Sequence, residues 1–310
     1  MFFKQATADL LAEGVVFVGN EGIVLWNDEL EWNAYAKVGI APRLTFFRNV
    51  AALTPATHMS GVIRLGVKEG RLGRRPTEPM IVYAAQVDLN NNLKEASAHG
   101  LQLIDITVQE LLRNFSLYDD LIHLRHPVFA KADDLALKTK VRHYTINLFR
   151  KKILLALLDR FPDKCKFFLT GSEATTIPSQ EGMPNLDLLM DLYSRARCNL
   201  DLGCQSGSEW LYPRSAEILS VSTSIVQINL PGSGSYFTGP LATQVANNLD
   251  DLLNIIEAMM NRSDSEDVND EHRNNLGRIN LAASQHNRSL MYGLRNSQRG
   301  GISANRDASC

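Results

Sequence analysis

Between Asn147 and Met260 the chain alternates two hydrophobic rhythms, and this restricts its fold more than any other feature. Leu148, Ile153, Leu154, Ala156, Leu157 and Leu158 follow helical spacing over 147–161, until Pro162-Asp163 stops the helix. Lys166–Thr170 is a short apolar run of strand type that ends at Gly171. The pattern then predicts a helix over Asn185–Tyr193, a strand over Cys198–Leu202, a helix over Pro213–Val221, a strand over Ser224–Ile228 and a helix over Leu249–Met260. A last helix is expected from about Glu271 to Arg295. Strands that alternate with helices make a parallel sheet covered on both faces, so the fold class is α/β. In such sheets ligands sit beyond the carboxyl ends of the strands, where loops feed helix N-termini.

The first half is less regular. Gly14–Gly19 and Ile23–Trp26 are apolar runs of strand type, Gly61–Pro79 reads as an exposed Gly- and Arg-rich loop, and Met80–Ala84 as a strand. A helix is expected over Asn90–Ala98, a strand over Leu101–Ile106, a short helix over Val108–Phe115 and a strand over Leu121–Leu124. Ala130–Val141, polar and mixed in charge, reads as the connection between two domains, 1–140 and 141–296, with 297–310 a disordered polar tail.

Size and composition exclude several classes. At 310 residues there is ample core for two domains. A net charge of −2 argues against a nucleic-acid partner held by bulk positive charge. The N-terminal apolar run is too short for a signal peptide, and no window approaches a spanning helix. That leaves a soluble chain, with peripheral membrane contact open to it. The four cysteines (Cys165, Cys198, Cys204, Cys310) lack paired spacing and read as reduced, buried thiols, which suits the cytoplasm. No phosphate loop, dinucleotide fingerprint, His-Glu-x-x-His zinc site or Gly-x-Ser-x-Gly elbow is present.

The segment after the strand Cys198–Leu202 carries the functional signal. Gly203-Cys204-Gln205-Ser206-Gly207-Ser208 is rich in small residues, which let backbone N–H groups approach an anion. Pro213 suits the first turn of a helix, whose start adds unpaired donors and partial positive charge. Arg214 opposes the dipole there, which makes sense if it faces a diphosphate; Glu217, one turn on, could accept hydrogen bonds from a ribose. The competing reading is a surface ion pair at i,i+3.

Other positions carry less. Gly171 and Ser172 follow a strand and could touch the base or sugar of a bound nucleotide, or form an ordinary turn. His123 and His126 flank Arg125 near an expected strand end; either could be a general base or a structural histidine. Gly232–Ser235 could close over a ligand, and Arg71, Arg74 and Arg75 could hold a phosphorylated or lipid-linked acceptor; linker and solvated loop are the competing readings.

Residues 145–296 resemble the C-terminal domain of GT-B glycosyltransferases, most closely the CgeB-like group, also called glycosyl transferases group 1. The likeness rests on the helix Asn185–Tyr193, the strand with Asn199, the loop Gly203–Ser208, Arg214-Ser215-Ala216-Glu217 and the strand Ser224–Ile228. It continues through Asp250-Asp251-Leu252 and a final helix with Tyr292 and Arg295. The resemblance implies two Rossmann-like domains facing a cleft, with helices on both faces of each parallel sheet. It implies Arg214 at the donor phosphates as the catalytic residue and Glu217 at the ribose. Gly203, Ser206, Gly207 and Ser208, with Gly171 and Ser172, would line the donor site. The reaction implied is sugar transfer from a nucleotide-sugar to a glycan, lipid-linked or protein acceptor, without metal or other cofactor. Two features depart from it. Ser220-Val221-Ser222 stands where the family usually has a glycine, and the first 140 residues carry no matching motif. They favour a non-catalytic GT-B-like protein that binds a nucleotide or glycan; a third reading is an unrelated α/β protein with a chance Arg-x-x-Glu.

Overall fold

Among the described residues, seven strands pair in parallel in two sheets. The computed structural model describes residues 44–45, 61–62, 78–89, 98–130, 132, 135–178, 184–203, 213–229, 244–261, 274 and 276–289. The chain divides into two units, Val67–Gln205 with Tyr212–Gly277, and Met1–Gly66 with Ser206–Leu211 and Arg278–Cys310. In the second of these, β1 (Leu44–Thr45) and β2 (Gly61–Val62) pair in parallel.

The first unit holds the five-stranded sheet. Its strands are β3 (Glu78–Gln86), β4 (Cys165–Thr170), β5 (Ala196–Asp201), β6 (Ile225–Ile228) and β7 (Val245–Ala246), in the spatial order β4-β3-β5-β6-β7. Every pairing is parallel. Counted from β3, this is the doubly wound order 2-1-3-4-5, a Rossmann-like arrangement that reverses direction between β3 and β5. The helices are α1 (Ala98–Arg113), α2 (Tyr118–Ile122), α3 (Leu135–Arg160), α4 (Leu186–Arg195), α5 (Pro213–Val221) and α6 (Leu249–Met260). Residues 276–289 form a further helical stretch.

Period-2 alternation divides the strands between two cores. Ile81 and Tyr83 of β3, Phe167 of β4, Cys198 and Leu200 of β5, and Val226 and Ile228 of β6 belong to one cluster. Ile104, Val108 and Leu111 of α1, Phe149, Ile153 and Leu157 of α3, and Leu252 and Ile256 of α6 complete it. Edge-to-face rings pack it locally: Tyr83 on Phe167 at 6.5 Å, and Phe115 on Phe149 at 5.5 Å. The alternate strand positions, Val82, Ala84, Asn199, Asp201, Ile225 and Gln227, are buried too, as are Leu189, Leu192 and Tyr193 of α4 and Ile218 and Leu219 of α5. Each large aliphatic side chain so buried contributes about 1.5–3 kcal/mol.

Local caps fix the helix starts. Asn185 accepts from Leu188 N at 2.8 Å to open α4, and Asn248 accepts from Asp251 N at 2.8 Å to open α6. Asn199 anchors the opposite end of the sheet: its Nδ2 donates at 2.9 Å to both Tyr193 O and Ser224 O. Cys198 is buried and Cys165 half-buried, both as free thiols. Burial pushes the Cys165 thiol up to about 12 and the Cys198 thiol higher still.

Several expectations are corrected. Leu101–Ile106, expected as a strand, lies inside α1, because the buried positions are Ile104, Val108 and Leu111 at helical spacing while Leu101 and Ile106 face outward. Leu121–Leu124, also expected as a strand, is the end of α2 and the turn after it, where Leu124 takes a positive φ of 57°. The helix expected from Asn147 begins at Leu135, so most of the anticipated interdomain connection is α3 itself. The boundary drawn near residue 140 therefore falls within a helix, and β3, on its N-terminal side, lies between β4 and β5 in the same sheet. Gly61–Val62 and Glu78–Pro79, expected in a loop, are in strands. The runs Gly14–Gly19 and Ile23–Trp26, Arg71, Arg74 and Arg75, residues 90–97, Gly232–Ser235 and the tail 297–310 lie outside the described residues.

Candidate functional site

The sheet reverses direction between β3 and β5, and the chain leaves both strands on the side where doubly wound sheets take ligands. Tyr83, Arg150, Asp201, Arg214 and Tyr193 interact electrostatically around this place. Burial pushes the Tyr83 phenol above its ordinary value, opposed by the neighbouring Arg150 and Arg214 and assisted by Asp201.

Gly203, two residues beyond β5, adopts a φ of +73°, which glycine reaches without strain. Both of its backbone groups are held. Its N–H donates to Asp201 Oδ1 at 3.0 Å, and its carbonyl accepts from the Arg150 guanidinium. The second carboxylate oxygen of Asp201 accepts from Ser215 Oγ in the first turn of α5 and from Gln227 Nε2 at 2.9 Å on β6. One buried carboxylate thus fastens the exit of β5, the start of α5 and the neighbouring strand.

Pro213 opens α5, and Arg214 and Glu217 follow on its first turns. Arg214 Nη1 donates to Glu217 Oε2 at 2.9 Å and to Tyr193 Oη at 3.3 Å. The side chains are 28% and 37% solvent-accessible, so the pair is open to water on one side. The i,i+3 ion pair is therefore formed. Partial exposure also means that the guanidinium can exchange partners at modest cost.

Three residues on one stretch of α3 tie the strand exits together. Asn147 Nδ2 donates to the Asp88 carbonyl after β3 at 2.9 Å, Arg150 holds Gly203 after β5, and Lys151 Nζ pairs with Glu173 after β4 at 2.5 Å. At i, i+3 and i+4 they share one helix face.

The remaining candidates have local roles. Gly171 has a φ of +93°, and a Cβ there would meet Val87 O at 2.6 Å. Ser172 Oγ accepts from Leu89 N at 2.8 Å, joining the exits of β4 and β3. His126 precedes a short 3-10 turn, and its Nδ1 accepts from Val128 N at 3.3 Å. His123 Nδ1 lies 2.8 Å from the Asp119 carbonyl at the end of α2. Both histidines cap helical turns. Ser206, Gly207 and Ser208 lie outside the described residues. Among the described residues no group of three or more His, Cys, Asp or Glu side chains converges as a metal site, and no helix is long and apolar enough to cross a membrane.

Sequence reasoning missed Arg150, Asp201, Asn147 and Tyr193. Two signals were legible: an Asp two residues before a Gly at a strand end, which favours an Asx-type turn, and a cation on the buried side of a helix. No family model matches the chain, and no curated protein is significantly similar to it.

Proposed function

We propose that the chain binds a nucleotide-sugar at the carboxyl edge of its five-stranded sheet and transfers the sugar to a glycan, lipid-linked or protein acceptor in the cytoplasm. One observation carries this reading. Arg214 and Glu217 stand half-exposed on the first turns of α5, and Asp201 and Ser215 fix that helix start beside the reversal point of the sheet. In this reading Arg214 releases Glu217 to meet the donor diphosphate, and the freed carboxylate accepts from the ribose hydroxyls. As the acceptor oxygen bonds to the anomeric carbon, the carbon–oxygen bond to the diphosphate breaks and the nucleoside diphosphate leaves with the electron pair. The acceptor proton passes to the departing phosphate or to a base. Arg214 and the N-terminal partial charge of α5 stabilise the negative charge that develops on the leaving group. The resemblance to GT-B enzymes supports a second, acceptor-side Rossmann-like domain.

The second reading is a non-catalytic protein with the same pocket. Ser220-Val221-Ser222, where the resembling family usually has a glycine, favours it. The test is a thermal-shift screen with UDP, GDP, CMP, ADP and dTDP and their common sugars, on the wild type and Glu217→Ala. A ligand at a hundred times its dissociation constant adds about 2.7 kcal/mol of stability. A shift with one nucleotide, abolished in Glu217→Ala, supports the site. Donor hydrolysis or transfer lost in Arg214→Ala supports the enzyme, and binding without turnover supports the second reading. No shift with any nucleotide rejects the enzyme and turns the reading to a non-catalytic glycan binder or an unrelated protein.

A further inference from the structure

Beneath the exit of β5 lies an arginine that sequence reasoning did not single out. Arg150 is buried, 6% exposed, although it carries a permanent charge. A buried cation is costly unless hydrogen bonds and counter-charge compensate it, so the bonds that it makes are held firmly. Its guanidinium donates to the Gly203 carbonyl from α3, which packs in the core on one side of the sheet. The Gly203 N–H is taken by Asp201, whose side chain points to the other side and reaches Ser215 and Gln227. The two peptide units that flank the Gly203 Cα are therefore held from opposite faces, one by Asp201 and one by Arg150. Ser215 is the direct neighbour of Arg214, so an unbroken path of hydrogen bonds and covalent links leads from Arg150 through Gly203, Asp201 and Ser215 to the proposed phosphate-binding arginine.

We propose that Arg150 is the positioning residue of the donor site: by fixing Gly203 it sets the exit of β5 and the first turn of α5, which carries Arg214 and Glu217. This rests on the donor-site reading above. Arg150 itself touches no ligand in this account. Its neighbours reinforce it, because Asn147 and Lys151 hold the exits of β3 and β4 from the same face of α3. The three strand exits around the reversal point thus share one rigid support.

The test uses the full chain with Arg150→Gln, Arg150→Lys and, as control, Leu157→Ala, which opens a cavity in the core face of α3 without touching the strand exits. Two quantities are read well below every melting temperature: hydrogen–deuterium exchange in the peptide 196–203, and titration with UDP, GDP, CDP, ADP and dTDP. Arg150→Gln is expected to raise exchange at Leu202 and Gly203 at least tenfold and to weaken nucleotide binding at least tenfold. Arg150→Lys, which keeps a charged donor, recovers part of both. Leu157→Ala leaves affinity within twofold of the wild type. The proposal is overturned if exchange in Arg150→Gln is unchanged, if affinity survives a rise in exchange, or if Leu157→Ala loses affinity equally. Should Arg150→Gln fail to fold, Arg150→Lys carries the same comparison with changes of about threefold. A wild type that binds none of the five nucleotides rejects the donor-site reading and, with it, this role for Arg150; the exchange data then decide only whether the grip on Gly203 exists.

Discussion

The Arg214 guanidinium bridges two helices, donating to the Tyr193 hydroxyl of α4 at 3.3 Å and to Glu217 of its own helix at 2.9 Å. Burial pushes the Tyr193 phenol up to about 12, against the opposing influence of Arg214, so the hydroxyl stays protonated at any ordinary pH. Tyr193→Phe removes the acceptor and should destabilise the free protein by about 0.5–1.5 kcal/mol. A double-mutant cycle on Arg214 and Glu217 should give a coupling of only about 0.5 kcal/mol, because the pair is partly exposed and salt screens it. Urea titrations at low and high ionic strength measure both; a coupling above about 2 kcal/mol would mean that the pair is a structural element rather than an exchangeable one.

Gly171→Ala tests the tight turn after β4. The backbone there sits at φ 93° and ψ −172°, a region essentially restricted to glycine. The added Cβ would also press on the Val87 carbonyl, which is backbone and cannot swing aside. Strain of about 1–3 kcal/mol is expected from the conformation alone, before the clash is counted. Calorimetric melting of the variant should show a drop of several degrees. A melting temperature equal to the wild type would refute this reading of the turn.

Acid should loosen the exit of β4. Burial alone would raise the Glu173 carboxyl, but hydrogen bonds from Lys151 and Thr176 and the charge of Lys151 outweigh it and hold the group below its ordinary value of 4.5. A carboxyl depressed in the folded state contributes stability that is present above pH 4.5 and lost as pH falls through the folded-state value. Glu173→Gln should therefore lower stability at pH 7 and flatten the acid limb below pH 4.5. Chemical denaturation from pH 7 to pH 3 reads both effects.

His126 gives a pH dependence in a separate window. Burial holds its imidazole below the ordinary 6.5, with Glu110 and Asp120 pulling the other way. The unfolded chain takes up the proton first, so stability is full above pH 6.5 and declines as pH falls below it. Protonation also turns Nδ1 into a donor, which removes the cap on Val128 N. His126→Asn keeps a cap acceptor without titrating. Its unfolding free energy should stay level between pH 7 and pH 5, while that of the wild type falls.

How far the sequence could be read depended on where each residue finds its partner. Pro213–Val221 and Leu249–Met260 were legible to the residue, because apolar spacing, a first-turn proline and an Asn cap are local signals. The strands β4, β5 and β6 were legible within two residues at either end for the same reason. The first half of α3 was not: its buried side carries Thr139, Arg142 and Thr145, so the apolar rhythm that marks a helix is missing there. Local alternation also misread Leu101–Ile106, where the choice of face was made by packing in the core.

The sequence by itself determined the class of the fold and the order β4, α4, β5, α5, β6, α6, though not the short β7, together with Arg214 and Glu217 on the first turns of a helix that follows a strand. Tertiary structure alone decided that β3 lies between β4 and β5, that the sheet reverses beside it, and that Arg150 and Asp201 grip Gly203. The physical reason is range. Periodicity and capping act within a few residues. The Arg150–Gly203 and Asn147–Asp88 bonds join positions 53 and 59 apart, and such partners exist only once the sheet has brought its strand ends together.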